Sequence, residues 1–436
     1  MKTIVIGGGP AGMMAAVSAS DSGDEVLLLE KNEKLGKKLF ITGKGRCNVT
    51  NACEREAFFE HVISNPKFLY SAYSALDSKA LMDFIEGNKT PLKVERGNRV
   101  FPVSDHSYDI IDAFKRALKN RGVEVRLNTE VKGILTKELS GKENDSADRE
   151  NGISQKAEKK EKNERKQIVC GVALKNGEKI TAEKIILATG GLSYPSTGST
   201  GDGHRFSEDL GHRVTDCKPA LVPFETKEEW VKSLQGLSLK NVKLSLVNGG
   251  KTVYTEQGEM LFTHFGVSGP LVLSASSVYS GIKEYKDPHI LIDLKPALTE
   301  EETDKRLIRE LETGNRKELK NILNEIYPLK LAGIICEIAG IDPYRRCNEV
   351  SGKERKALLN ATKRLKITIT GTRDFNEAII THGGISVKEI QPKTMESKLV
   401  SGLYFAGEMM DVDAFTGGFN LQIAFCTGYL AGKHIY

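Results

Sequence analysis

Apolar and polar positions along this chain fall into blocks of different period. Residues 2–6 are a β-rich run that stops at three consecutive glycines, Gly7, Gly8 and Gly9. Residues 13–22 are small and helix-compatible, Gly23 closes them, and residues 25–29 are apolar again up to Glu30. Strand, glycine turn, helix and strand in so short a space predict parallel strands joined by a crossover helix. Ile110, Ile111, Phe114 and Leu118 recur at helical spacing within residues 105–121, and residues 123–127 and 129–136 read as strands. Residues 168–174 and 185–188 are further apolar strands. Residues 137–167 are dominated by Lys, Glu, Asp, Asn and Ser, with almost nothing to bury, which predicts a solvated mobile loop.

The middle of the chain changes character. Residues 215–294 read as strand-rich, with apolar runs at 243–247, 252–254 and 289–293. Residues 299–365 turn helical, and Thr299 with Glu302 has the spacing of a capping box. Residues 367–370 return to strand, 402–407 form a strand entering a turn, and a final helix is expected from about Asn420.

Composition narrows the class without naming it. A length of 436 residues implies two or three domains, and 28% charged residues with a net charge of +5 is ordinary for a globular chain. Cations and acids are interleaved, so charge gives no reason to expect a nucleic-acid partner. No apolar run approaches the roughly 18 residues needed to cross a bilayer. The N-terminus lacks a secretory pattern, and the seven cysteines show no paired metal spacing. The expectation is a cytoplasmic protein with reduced thiols, no metal and no membrane.

The sharpest motif is Gly7-x-Gly9-x-x-Gly12, with Pro10 and Ala11 inside it and Glu30 closing the second strand. The first glycine permits the turn, the second lets backbone approach a pyrophosphate, and the third lets helix and strand pack closely. The helix start offers free N–H groups and partial positive charge to phosphates. Glu30 is positioned to accept hydrogen bonds from ribose hydroxyls. The motif predicts a dinucleotide but does not separate NAD from FAD.

Three further segments do. A basic, glycine-rich stretch runs from Lys31 through Lys38 to Thr42-Gly43-Lys44-Gly45-Arg46-Cys47-Asn48. Ala188-Thr189-Gly190-Gly191 follows a buried strand, and Gly407-Glu408 ends the last one. Together they resemble the two-dinucleotide-binding-domain flavoproteins, in which such turns hold FAD and the late acid binds the ribityl chain. With Phe262-Thr-His-Phe-Gly-Val-Ser-Gly-Pro270, Gly407-Glu-x-x-Asp-Val412 and Thr416-Gly-Gly-Phe-Asn-Leu-Gln422, the chain resembles the BaiN/RdsA family of NAD(P)/FAD-dependent oxidoreductases. A more distant likeness is to fumarate reductase flavoproteins, through Ala188-Thr-Gly-Gly191 and Thr200-Gly-Asp-Gly203.

The resemblance implies an α/β fold: a Rossmann-like FAD domain interrupted by a β-barrel-like insert and a small helical subdomain. The expected spans are 1–195 with 382–436 for the FAD domain, 196–297 with 366–381 for the barrel, and 298–365 for the helices. It implies that Val131 contacts the adenine through its backbone. It also implies that Gly418, Asn420, Leu421 and Gln422 lie beside the flavin pyrimidine, with helix N–H groups facing the edge where charge gathers on reduction.

Cys47 and Cys53 are separated by five residues, not the four of a redox-active disulfide, so Cys47 reads as a thiol packed near the flavin. His264 is the candidate proton donor, with an ordinary structural histidine as the alternative; Asp202, His204 and Arg373 are weaker candidates of the same kind. The expected activity is hydride transfer through flavin N5, from NAD(P)H as transient donor to an unsaturated or carbonyl small molecule. A tRNA-modifying flavoprotein and a non-catalytic FAD-binding sensor are the alternatives.

Overall fold

The computed structural model describes residues 1–139 and 167–434. The chain divides into two compact units, Met1–Lys218 with Ile380–Tyr436, and Pro219–Ile379.

In the first unit, strand Lys2–Ile6 lies between Glu25–Leu29 and Lys184–Leu187, all parallel. Glu124–Arg126 and Leu403–Phe405 complete a five-stranded sheet. Four of five positions in the first two strands are buried, as expected where both faces of a parallel sheet are covered. The helix Pro10–Asp21 begins three residues before the apolar pattern suggested, because Gly9 is an extended N-cap and Pro10 presets the first helical turn. It packs against the helix Phe419–Gly432, and the two approach through small residues. A Cβ on Gly428 would stand 2.2 Å from Ala11 O, and one on Gly432 would stand 2.4 Å from Ala15 O.

Strands Val131–Glu138 and Gln167–Leu174 pair antiparallel, so Lys137, Glu138 and Gln167 belong to strands rather than to the expected loop. The rest of that loop, 140–166, lies outside the described residues. The stretch after Asn51 contains helices that hydrophobic spacing did not single out, Arg55–Glu60, Tyr70–Ala75 and Ser78–Gly87. Residues 196–218 cluster with the first unit, where His204 Nε2 bonds Met409 O at 3.1 Å.

The second unit is a closed six-stranded barrel plus helices. Its strand order is Phe224–Thr226, Gly266–Ser268, Lys251–Phe262, Ser238–Asn248, His289–Asp293 and Leu365–Thr372, closing back on the first. The strand-rich reading of 215–294 misses two helices, the short Glu229–Ser233 and one longer helix. Pro270–Ser280 is a helix, started by Gly269 at φ +96° and by Pro270 at the first helical position. The helices Glu300–Thr313, Leu319–Leu323, Leu329–Ile338 and Gly352–Lys363 share one hydrophobic core with the barrel. The Thr299–Glu302 capping box is formed, and Ser351 with Glu354 forms a second.

Candidate functional site

The glycine turn has the geometry its sequence implies. Gly7 has φ +107°, and a Cβ there would stand 2.4 Å from Ala188 O. A Cβ on Gly12 would stand 1.8 Å from Gly7 O, so only glycine lets the helix sit this close to the strand. A Cβ on Gly9 would meet nothing within 4 Å, leaving open space for a ligand. No side chain caps the helix that starts at Pro10, so its first N–H groups remain for an anion.

Glu30 is buried at the end of its strand. Its carboxylate accepts from Gly8 N at 2.6 Å, Asn32 N at 2.8 Å and Asn32 Nδ2 at 2.7 Å. Three of about four acceptor directions are therefore used, leaving room for one ribose hydroxyl. Lys31 bonds Thr200 Oγ1 at 2.6 Å and Asp202 Oδ2 at 2.7 Å. Burial opposes the Asp202 charge, but Lys31 outweighs it and holds the carboxyl below its usual range.

A second cradle forms around Glu408. Gly407 has φ +77°, and its N–H donates to Thr427 Oγ1 at 3.0 Å. Glu408 receives Lys38 Nζ at 2.6 Å, Ser193 Oγ at 2.5 Å and Thr381 N at 2.9 Å. Burial raises its pKa, yet Lys38 and these donors bring it below the ordinary value, so Glu408 is ionised. Ala188 N donates to Ile6 O, Thr189 Oγ1 contacts Met409 Sδ at 3.9 Å, and Gly190 turns at φ +75°. Ser193 and Thr381 were missed in the sequence. The available signal was the glycine pair after Ile379-Ile-Thr-His382, which is a strand end of the same kind as Ala188-Thr-Gly-Gly191.

The basic loop is tied to protein more than expected. Thr42 Oγ1 donates to Leu39 O at 2.7 Å, and Asn48 Oδ1 accepts from Val100 N at 3.2 Å. Arg46 donates to Asp105 and Glu95 and lies 4.2 Å from the Phe101 ring centroid. Gly43, Lys44, Gly45 and Cys47 all have positive φ, so the backbone is sharply coiled. Cys47 is fully buried and its thiol is pushed up to about 12; Cys53 is also raised by burial, and both are free. Neither is an activated thiolate.

Gly418, at φ +99°, starts the helix Phe419–Gly432 without a side-chain cap. Asn420 is turned inward, with Oδ1 accepting from Ala414 N and Nδ2 donating to Ala414 O and Phe415 O. Gln422 is fully buried, accepting from Thr50 Oγ1 and donating to Leu76 O. Leu421 is half-buried. These side chains therefore build the helix start, and the backbone N–H groups are what it can offer a ligand. Val131 opens its strand, paired with Leu174.

His264 is exposed in the second unit, in the turn between Lys251–Phe262 and Gly266–Ser268, with its ring edge-on to Phe265 at 4.9 Å. His204 is buried, and burial lowers its pKa, which marks a neutral structural histidine. Arg373 is held by Glu225 and Glu377.

An unforeseen pair lies close to the Glu408 cradle in the first unit. His382 Nδ1 is 3.2 Å from Asp413 Oδ1, with side-chain exposures of 17% and 1%. The other Asp413 oxygen is buried without a hydrogen-bond partner.

These features fit FAD: open space at Gly9, two uncapped helix starts, and an ionised acid beside Lys38 at the same carboxyl end of the parallel strands. When bound, FAD supplies hydride chemistry at N5. A family profile described as "HI0933-like protein Rossmann domain" matches residues 1–434. The chain is 28% identical over 432 residues to the 3-dehydro-bile acid delta(4,6)-reductase of Clostridium scindens, covering 98% of this chain and 97% of that one. It is 28% identical over 435 residues to the ribosomal RNA dihydrouridine synthase of Escherichia coli K12, covering 99% and 97%. Among solved structures, the 3-ketosteroid delta1-dehydrogenase of Sterolibacterium denitrificans is similar in fold, with 14% identity, TM-score 0.50, and 99% and 98% coverage. The motif-based resemblance and the expected fold class are both borne out. No helix among the described residues is long and apolar enough to cross a membrane.

Proposed function

We propose that this chain, which belongs to the HI0933-like family of Rossmann-domain proteins, is an FAD-dependent oxidoreductase that adds hydride and a proton across a carbon–carbon double bond conjugated to a carbonyl. The convergence of the glycine turn, Lys38 and Glu408 at the carboxyl ends of the parallel strands carries the cofactor half of this reading. The names of two full-length relatives support the reaction half. A 3-dehydro steroid with delta(4,6) unsaturation conjugates its double bonds with a ketone, and a uracil ring conjugates its 5,6 double bond with a carbonyl. One hydride chemistry serves both.

NAD(P)H is the proposed donor, docking transiently over the flavin, since the chain carries only one glycine fingerprint of this type. An anaerobic titration of the yellow protein with NADH and then NADPH tests this. Bleaching followed by reoxidation with 2-cyclohexen-1-one supports the reading. A flavin that bleaches but is reoxidised by oxygen alone argues for a sensor. His264 is proposed as a substrate-facing group of the insert, and unchanged turnover in His264→Ala removes it.

A second reading of the substrate, a uracil within RNA, is favoured by one surface of the second unit. Residues 315–320 and 343–348 pair through Leu319 N to Arg345 O and Cys347 N to Lys317 O. This ribbon exposes Arg316, Lys317 and Arg346 beside Tyr344, which is 62% exposed and has Lys320 Nζ 3.7 Å over its ring. Cations around an exposed aromatic ring suit a nucleic-acid strand. Salt-dependent binding of an oligouridylate, and its reoxidation of the reduced flavin, would favour RNA over a free small molecule.

A further inference from the structure

The proposed reduction needs a proton as well as a hydride, and the Glu408 cradle leads to a group placed to hold one. Thr381 N donates to Glu408 Oε1 at 2.9 Å, and Thr381 Oγ1 accepts from Leu192 N and Ser193 N. The next residue is His382. Beyond the glycine pair, Ile385 bridges Met410 and accepts from Asp411 N at 3.0 Å. The strand carrying His382 is thus laced along residues 408–413, directly before the uncapped helix start at Gly418.

Asp413 is held by its own backbone as well, since its carbonyl accepts from Ile63 N at 2.8 Å. A carboxylate 1% exposed, with one oxygen on His382 and the other unpartnered, is costly unless its charge is matched. An imidazolium at His382 matches it. Burial opposes that charge, but the Asp413 hydrogen bond and the charges of Asp413 and Asp411 outweigh both burial and Lys218, so the His382 pKa is raised. Asp411 itself is raised by burial, partly countered by His382 and Asn65. With Nδ1 committed to Asp413, Nε2 has no hydrogen-bond partner among the described residues, and the side chain is 17% exposed.

We propose that His382 is the catalytic acid of this site and Asp413 its positioning residue. The inference rests on the reductase reading above. The alkene carbon β to the carbonyl gains the hydride, and the π pair takes the proton from His382 Nε2 at the α carbon. The product is saturated by one hydride and one proton, His382 is left neutral, and water reprotonates it. Asp413 fixes the ring orientation and the Nδ1–H tautomer, as buried carboxylates do for other acid–base histidines.

The test uses two readouts on the holoenzyme. The first is 4-chlorophenol, whose phenolate mimics an enolate and gives a long-wavelength charge-transfer band when stacked on oxidised flavin. In His382→Gln its affinity at pH 7 should fall at least tenfold, with the flavin content unchanged. The second is reoxidation of prereduced enzyme by 2-cyclohexen-1-one. The wild-type rate should fall as pH rises through the His382 pKa. His382→Gln should lose about 100-fold or more and become flat there. Asp413→Asn should move the basic limb to lower pH, which a purely structural role would not do. Unchanged phenolate affinity in His382→Gln overturns the proposal whatever the enone does. Loss of phenolate affinity with no enone reoxidation in any variant keeps His382 facing the ligand and overturns the reductase reading instead.

Discussion

Replacing Gly428 with alanine inserts a methyl group where the two helices of the first unit touch. The new Cβ would stand 2.2 Å from Ala11 O. Ordinary contact needs roughly 3.3 Å, so the helices must part by about 1 Å. Overpacking of this kind costs about 1–3 kcal/mol, and the better helix propensity of alanine returns up to ~1 kcal/mol. The net expectation is a loss centred on about 1.5 kcal/mol. Gly432→Ala creates the same conflict with Ala15 O at 2.4 Å. One separation relieves both clashes, so the double variant should lose less than the sum. Ala11 and Gly12 belong to the turn proposed to hold the cofactor phosphates, so FAD affinity should weaken several-fold alongside stability. Gly333→Ala is the control: it lies within the helix Leu329–Ile338, and its Cβ would meet nothing within 4 Å. That change should be neutral or stabilising by up to ~1 kcal/mol. The assay is urea denaturation followed by flavin fluorescence and by far-UV circular dichroism, with flavin occupancy from the visible spectrum. A Gly428→Ala protein as stable as wild type, with full flavin, would refute the close-packing argument.

Glu408→Gln leaves Lys38 without its counter-charge and should lower flavin retention at least tenfold, read as the ratio of visible to protein absorbance; full retention would remove Glu408 from the cofactor site. Lys184 is 2% exposed in the central sheet and donates to Gly432 O at 3.0 Å, and burial lowers its pKa to about 8. Below pH 8 it is charged in both the folded and unfolded states. Between pH 8 and its unfolded value the folded protein releases a proton the unfolded chain keeps, so stability rises with pH. Relative to Lys184→Met, wild type should gain about 2–3 kcal/mol from pH 7.5 to 10, measured by urea denaturation; parallel curves would contradict the shift. Cys47, buried with a thiol pushed up to about 12, should resist a disulfide reagent at pH 8 in native holoenzyme, and rapid labelling at that position would show the loop opens.

The sequence exposed those parts of the fold that are written locally. The turn Gly7 to Gly12 needs its glycines for reasons confined to a few residues, and the Thr299–Glu302 box is complete within one helical turn. The barrel strands His289–Asp293 and Leu365–Thr372 were visible as strand-like runs at 289–293 and 367–370. The helix Pro270–Ser280 was not, because its serines at 274, 276, 277 and 280 are buried and blur the apolar stripe. Ser276 and Ser277 instead accept from Val222 N and Leu221 N, a role no local pattern reveals. The same holds at the site. Lys38 and Glu408 meet across 370 residues, and His382 meets Asp413 only because a glycine pair turns the strand back along residues 408–413. Asn420 and Gln422 were expected beside the cofactor, and their side chains serve the backbone around them.

The helix pair also sets a clock. Ser18 Oγ donates to Tyr429 O, joining segments 411 residues apart. At ordinary rates of synthesis the first of these emerges roughly 20–80 s before its partner. Throughout that interval the nucleotide turn is already made, yet its packing partner does not exist. The insert Pro219–Ile379, by contrast, is contiguous and holds its own core, so it can finish folding while still tethered to the ribosome. Flavin capture at the proposed site should therefore come late in the life of each molecule. Lesions in residues 403–432 should show first as chains lost to aggregation or proteolysis during expression, before any weakened cofactor binding can be measured.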